Sequence, residues 1–149
     1  MNRLEKLGIQ LPAVAAPVAA YVPAVRVGNQ VWTSGQLPFV DGKLPAVGKV
    51  GDTITVEQAA EFAQIAVMNA FAAVHALVGI ENVKRVLKVT GYVASAEGFI
   101  NQPAVLNGAS NAIGDIFGEA GAHARSAVGV AELPLGSPVE VEVIVEIAD

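Results

Sequence analysis

The sequence has no cysteine, which excludes disulfides, thiol nucleophiles and thiolate metal sites. It is also poor in positive charge, since 9 Lys and Arg stand against 14 Asp and Glu for a net charge of −5. After Lys88 the only Lys or Arg is Arg125. A groove that binds nucleic acid needs clustered lysine and arginine to contact phosphates. The charge balance therefore argues against a nucleic-acid partner.

Patterns typical of membrane spans, secretory leaders and metal sites are missing as well. The longest uncharged stretch near the start, residues 11–25, is interrupted by three prolines, which break a helix. Glu5 and the same prolines spoil the charged and apolar regions that a signal peptide would need. The two histidines, His75 and His123, show no paired ligand spacing. We expect a cytoplasmic protein without a membrane partner or a bound metal.

The length and composition predict one domain over residues 1–149. A chain of 149 residues with 53% hydrophobic and 15% charged positions can bury one substantial core. No internal repeat or long polar linker divides it. So high an apolar fraction in so short a chain also suggests that other subunits cover part of its surface.

Local signals predict the elements of an α+β fold with two helices packed on one face of a mixed sheet. Gly28-Asn29 predicts a tight hairpin between strands at residues 25–27 and 30–33. Thr55 and Gln58 form a capping box ahead of an amphipathic helix that ends at Gly79. The remaining predicted elements are a strand at residues 83–94, a helix from about Asn101 to Gly118, and strands at residues 124–131 and 139–147.

The alternation in the last two predicted strands singles out one cation among acidic residues. In the last strand the odd-numbered apolar residues 139–147 form the core face, which leaves Glu140, Glu142 and Glu146 on the other face. In the strand before it, Ser126, Val128 and Val130 form the predicted core set, so we expect Arg125 to share the glutamates' face. Arg125 could there grip a carboxylate ligand, or it could form an ion pair with Glu140 or Glu142.

Five short segments stand out by their order and spacing along the chain. They are Tyr21-Val22, residues 31–38 (VWTSGQLP), Ala124-Arg125-Ser126, Leu133-Pro134 and Val139-Glu140. Together they resemble the reactive intermediate deaminase (RidA/YjgF, endoribonuclease L-PSP) family over most of the chain. The step of fifteen residues from Arg125 to Glu140 is the family's own.

The resemblance implies a fold, an assembly and an activity. The fold would be that of trimeric chorismate mutase, and a homotrimer would hold three clefts between subunits. The activity would be hydrolysis of reactive 2-imino or enamine acids to 2-keto acids and ammonia, with no cofactor. By the same resemblance Arg125 would bind the substrate carboxylate, Glu140 would position the attacking water, and Tyr21 would wall the cleft. Backbone groups at Gly35 and Ala127 match positions that hydrogen-bond the imine or the water.

The chain departs from the family pattern close to these residues. His123 stands where members commonly carry proline, and the stretch before Arg125 differs in length. Taken alone, a single loop histidine is typical of a surface residue. The asparagine that lines the family's cleft corresponds to Asn107 or Asn111, or is replaced by Ser110. Beside the deaminase interpretation stand a non-catalytic trimer that binds a small carboxylate and an endoribonuclease, which the acidic charge disfavours.

Overall fold

A five-stranded mixed sheet carries two long helices on one face in a computed structural model that describes residues 3–16 and 20–149. The strands are β1 (Ala24–Val27), β2 (Gln30–Thr33), β3 (Val83–Ala94), β4 (Ala124–Val130) and β5 (Val139–Ile147). The helices are α1 (Arg3–Lys6), α2 (Val56–Val78) and α3 (Gln102–Phe117), with 3₁₀ turns at Ile80–Asn82, Gly118–Gly121 and Pro134–Gly136. This arrangement confirms the predicted α+β class and the placement of both helices on one face.

The strands lie in the order β1-β2-β5-β3-β4. Only β3 and β4 are parallel, because α3 crosses back over the sheet between them; the other neighbours are antiparallel. The last strand of the chain therefore lies at the centre of the sheet. Residues 139–147 are buried at every second position, as their alternation predicts.

The first long helix follows its predicted caps. Thr55 Oγ1 accepts from the Gln58 amide at 3.1 Å, and Gln58 Oε1 accepts from the Thr55 amide at 2.9 Å, so the capping box is confirmed. By length and hydropathy α2 could cross a membrane. Here its apolar side is buried in the core, where it packs against β5 and α3.

Glycines allow α3 to lie very close to its neighbours. A Cβ on Gly108 would lie 1.9 Å from the Ala60 carbonyl oxygen of α2, and a Cβ on Gly91 would lie 2.0 Å from Leu106 Cδ1 of α3. No side chain larger than hydrogen fits at either contact. The strand residues beneath α3 must accordingly be small.

The face that β4 turns to the helices was predicted wrongly. Arg125, Ala127 and Gly129 pair with Val89, Gly91 and Val93 of β3, whose side of the sheet is the buried one. Because α3 lies so close, small residues cover this face, while the larger Val128 points to the open face and is 41% exposed. Arg125 is therefore on the face opposite to Glu140.

Candidate active site

Arg125 is held by neutral oxygen atoms of α3. Its Nη1 donates to Asn107 Oδ1 at 2.8 Å and to Ser110 Oγ at 3.1 Å, and Nη2 lies 3.5 Å from the Pro103 carbonyl oxygen. Among residues 3–16 and 20–149 no carboxylate forms a salt bridge with it. The alternative of an ion pair with Glu140 or Glu142 is thus wrong for the single chain. A fixed guanidinium without a counter-ion is suited to bind an anion.

Two of the three helix residues that the sequence left open contact Arg125. Asn107 and Ser110 lie three positions apart, so they share one face of α3 and both contact Arg125. Asn111 is exposed. Their spacing of three residues is the signal in the sequence that could have identified this pair.

His123 is half-buried rather than an ordinary surface residue. Its Nε2 lies 2.9 Å from Ser110 Oγ and its Nδ1 lies 2.6 Å from the Gly121 carbonyl oxygen. The other histidine, His75, accepts a hydrogen bond from the Ile80 amide at the end of α2. Within the two described ranges, no group of three or more His, Asp and Glu side chains could hold a metal ion.

Glu140 lies on the open face of the sheet, against the segment that follows β2. Backbone hydrogen bonds of 2.8 and 3.0 Å join Gln36 to Val141, which draws this segment alongside β5. A Cβ on Gly35 would lie 2.7 Å from Glu140 Cδ. Glycine at position 35 therefore makes room for the carboxyl group.

The surroundings of Glu140 favour its protonated form. Burial raises the pKa of the Glu140 carboxyl, and the negative charge of Glu142 adds to the increase. Glu142 accepts a hydrogen bond from Tyr92 Oη at 2.9 Å, and this bond is the main reason that the pKa of Tyr92 is raised. A carboxyl group with a raised pKa can take up and return a proton closer to neutral pH.

Two half-sites result, one on each face of the sheet. The glutamate half-site consists of Tyr21, Gly35 and Glu140, which line a cleft of about 50 Å³ together with Pro23, Gln36, Leu37, Phe39 and Pro134. The arginine half-site consists of Arg125, Ala127, Asn107, Ser110 and His123. Each group of predicted residues is brought together, but the sheet separates the two groups within one chain.

Comparison with known proteins identifies the family. The family model described as "YjgF/chorismate mutase-like, putative endoribonuclease" matches residues 1–147. The chain belongs to this family. The YjgF-family resemblance and the chorismate-mutase-like fold expected from the sequence are thereby confirmed.

Individual YjgF-type relatives match over nearly the whole chain. Protein TCP17 of Trypanosoma cruzi is 43% identical over 146 residues, which cover 97% of this chain and 91% of that protein. The crystal structure of Atu1372 from Agrobacterium tumefaciens, a protein of unknown function, superposes with a TM-score of 0.89 at 42% identity and covers 98% of this chain and 91% of its own. E. coli TdcF, solved with bound serine, gives a TM-score of 0.68 at 28% identity, covering 93% of this chain and 96% of its own.

Proposed function

We propose that this protein hydrolyses reactive 2-imino and enamine acids to 2-keto acids and ammonia in the cytoplasm, at clefts between the subunits of a homotrimer. The observation that carries the proposal is the pair of half-sites. Arg125 offers an unneutralised guanidinium, and Glu140 offers a carboxyl with a raised pKa. Together they hold what hydrolysis of an electrophilic acid requires, namely a carboxylate anchor and a proton acceptor for water.

The open face of the sheet supports assembly between copies of the chain. Trp32 is 48% exposed and Val128 is 41% exposed, although both are large apolar residues. Val25, paired with Trp32, is 52% exposed on the same face. Contacts between identical subunits bury such residues. In a closed ring of three, each cleft would take the arginine half-site of one subunit and the glutamate half-site of the next.

The chemistry needs only the residues of the two half-sites. The substrate carboxylate pairs with Arg125, which fixes the neighbouring imine carbon. An enamine substrate first gains a proton on carbon and loses one from nitrogen, which converts it to the imine. Water adds to the imine carbon while Glu140 accepts one of its protons. Glu140 then returns that proton to nitrogen, which gives a carbinolamine. As the carbon–nitrogen bond breaks and the carbonyl forms, Glu140 passes the proton of the carbinolamine hydroxyl to the leaving nitrogen, so ammonia leaves and the carboxylate is restored. TdcF, solved with bound serine, holds an α-amino acid, which has the same arrangement of carboxylate, carbon and nitrogen as a 2-imino acid.

The test couples a dehydratase that generates 2-aminoacrylate from serine to this protein and follows the disappearance of the enamine. We expect the wild type to accelerate its loss, and Arg125→Ala and Glu140→Gln each to reduce that acceleration by about 100-fold or more. Glu146→Gln is the matched control, because Glu146 lies on the same strand and face but is paired with Lys84 and Arg85. Sedimentation velocity checks that each variant assembles like the wild type. Equal activity of Arg125→Ala and the wild type would contradict the assignment of Arg125 as the carboxylate anchor.

The two other interpretations predict different results in the same preparation. Binding of a small carboxylate without release of ammonia would indicate a non-catalytic binding trimer. Cleavage of RNA that is sensitive to salt would indicate an endoribonuclease. We expect neither outcome, because Glu140 and Glu142 on the open face have no salt-bridge partner among residues 3–16 and 20–149 and would repel a phosphate backbone.

A further inference from the structure

A directional chain of hydrogen bonds runs from Arg125 through Ser110 and His123 to Gly121. The Gly121 carbonyl oxygen can only accept, so the 2.6 Å contact requires a proton on His123 Nδ1. In a neutral imidazole the other nitrogen is then an acceptor, and Ser110 Oγ, at 2.9 Å, donates to it. The lone pairs of Ser110 Oγ are left to accept from Arg125 Nη1 at 3.1 Å. The acceptor on His123 Nε2 thus fixes the direction of the Ser110 O–H bond.

The same contacts leave one edge of the guanidinium open. Asn107 and Ser110 use both hydrogen atoms of Arg125 Nη1. Nη2 has only the long 3.5 Å contact with the Pro103 carbonyl, and Nε has no hydrogen-bond partner among residues 3–16 and 20–149. Nε and Nη2 form the edge on which a carboxylate binds side-on with two parallel hydrogen bonds.

We propose that Ser110 and His123 are positioning residues that hold the Nε–Nη2 edge of Arg125 free for a substrate carboxylate. This inference rests on the proposed function, in which Arg125 is the carboxylate anchor. A single hydrogen bond donated to Asn107 would let the guanidinium plane rotate; the second, donated to Ser110, fixes it. Both acceptors are neutral, so the arginine is held in place without losing the charge that the ligand needs. Proline, which the family pattern has at position 123, could not perform this role, because it has no side-chain acceptor for Ser110.

The test measures the affinity for 2-oxobutanoate by isothermal titration calorimetry. This stable 2-keto acid is a product of the proposed reaction. We expect Ser110→Ala and His123→Phe to weaken binding by about 3- to 10-fold, the usual effect of one lost hydrogen bond. His123→Gln keeps an acceptor within reach of Ser110 and is expected to bind within about twofold of the wild type. The uncharged 2-oxobutanamide is expected to bind equally to all four proteins. In the deamination assay, the KM of Ser110→Ala and His123→Phe is expected to rise by the same factor as the dissociation constant, and kcat is expected to change less than KM.

Three results would overturn the positioning role: no binding of 2-oxobutanoate by the wild type, equal binding by Ser110→Ala and the wild type, or a loss in His123→Gln as large as that in His123→Phe. The assay also separates this inference from the proposed function, because it needs no catalysis. Wild-type binding without ammonia release from imines would defeat the deaminase and leave the positioning role intact. Normal deamination together with unchanged 2-oxobutanoate binding in the variants would support the deaminase and defeat the positioning role. Thermal unfolding of the three variants confirms that each is folded.

Discussion

Glu140 is placed where its ionised form is disfavoured. Its pKa is raised by burial and by the charge of Glu142, so the carboxyl binds its proton more tightly in the folded chain than in the unfolded chain. Folding is therefore favoured by this group at pH values below the usual glutamate pKa. That advantage is lost as the pH rises through the raised pKa of the folded state.

Glu140→Gln should remove this pH dependence along with the activity. We expect the free energy of unfolding of the wild type to fall relative to that of Glu140→Gln as the pH rises from the usual glutamate pKa through the raised pKa of the folded chain, because the variant has no carboxylate to form in the cleft. Urea unfolding at a series of pH values measures the difference. The control is Glu146→Gln, at an ion-paired glutamate of the same strand, which should not become more stable than the wild type at neutral pH. Parallel pH profiles for the wild type and Glu140→Gln would contradict the assignment.

Among the elements, α3 depends most on glycine, and its two interior glycines have opposite roles. We expect Gly108→Ala to lower the free energy of unfolding by at least about 1–3 kcal/mol, since the new Cβ would meet backbone atoms of Ala60 that cannot move alone. Gly114→Ala is the matched control in the same helix. A Cβ there has no neighbour within 4 Å, so the variant should gain about 0.5–1 kcal/mol. Chemical denaturation compares the two, and equal effects would contradict the close packing of α2 against α3.

Signals that lie within a few residues of each other predicted most elements correctly. The capping box at Thr55, the turn at Gly28-Asn29 and the alternation through residues 139–147 all agree with the structure. The orientation of β4 was predicted wrongly because it depends on how closely α3 packs over Ala127 and Gly129, which is a tertiary property. In such a strand the larger apolar residues, Val128 among them, are on the open face. Apolar size is then a misleading guide to the core.

The candidate site was predictable as a set of residues and not as an arrangement. Tyr21, Gly35 and Glu140 do line one cleft, and Arg125 and Ala127 do lie together. The assumption that Arg125 faces the glutamates failed with the orientation of β4. The contacts of Arg125 with Asn107 and Ser110 also required the fold, because they join a helix to a strand across the 3₁₀ turn at Gly118–Gly121.

For the whole molecule, the proposed sharing of each cleft between two subunits predicts that two inactive variants restore each other. Arg125→Ala and Glu140→Gln trimers, unfolded together and refolded as an equal mixture, should regain about one quarter of the wild-type rate, because about three quarters of the trimers are mixed and each mixed ring has one intact cleft of three. The coupled enamine assay measures the recovery. Each variant refolded alone is the control. A mixture as inactive as its components would show that no cleft combines the two half-sites from different subunits.

Under the proposed function, separation of the half-sites by the sheet would also make the reaction rate depend on assembly of the subunits. By that proposal a lone folded subunit would hold a carboxylate on Arg125 but would have no Glu140 facing the bound ligand. The rate per chain should therefore fall on dilution below the dissociation constant of the trimer, whereas an enzyme whose site is complete in one chain keeps a constant rate per chain. Ligands that bridge two subunits would in turn hold the assembly together, so substrate itself would shift the protein towards its active form.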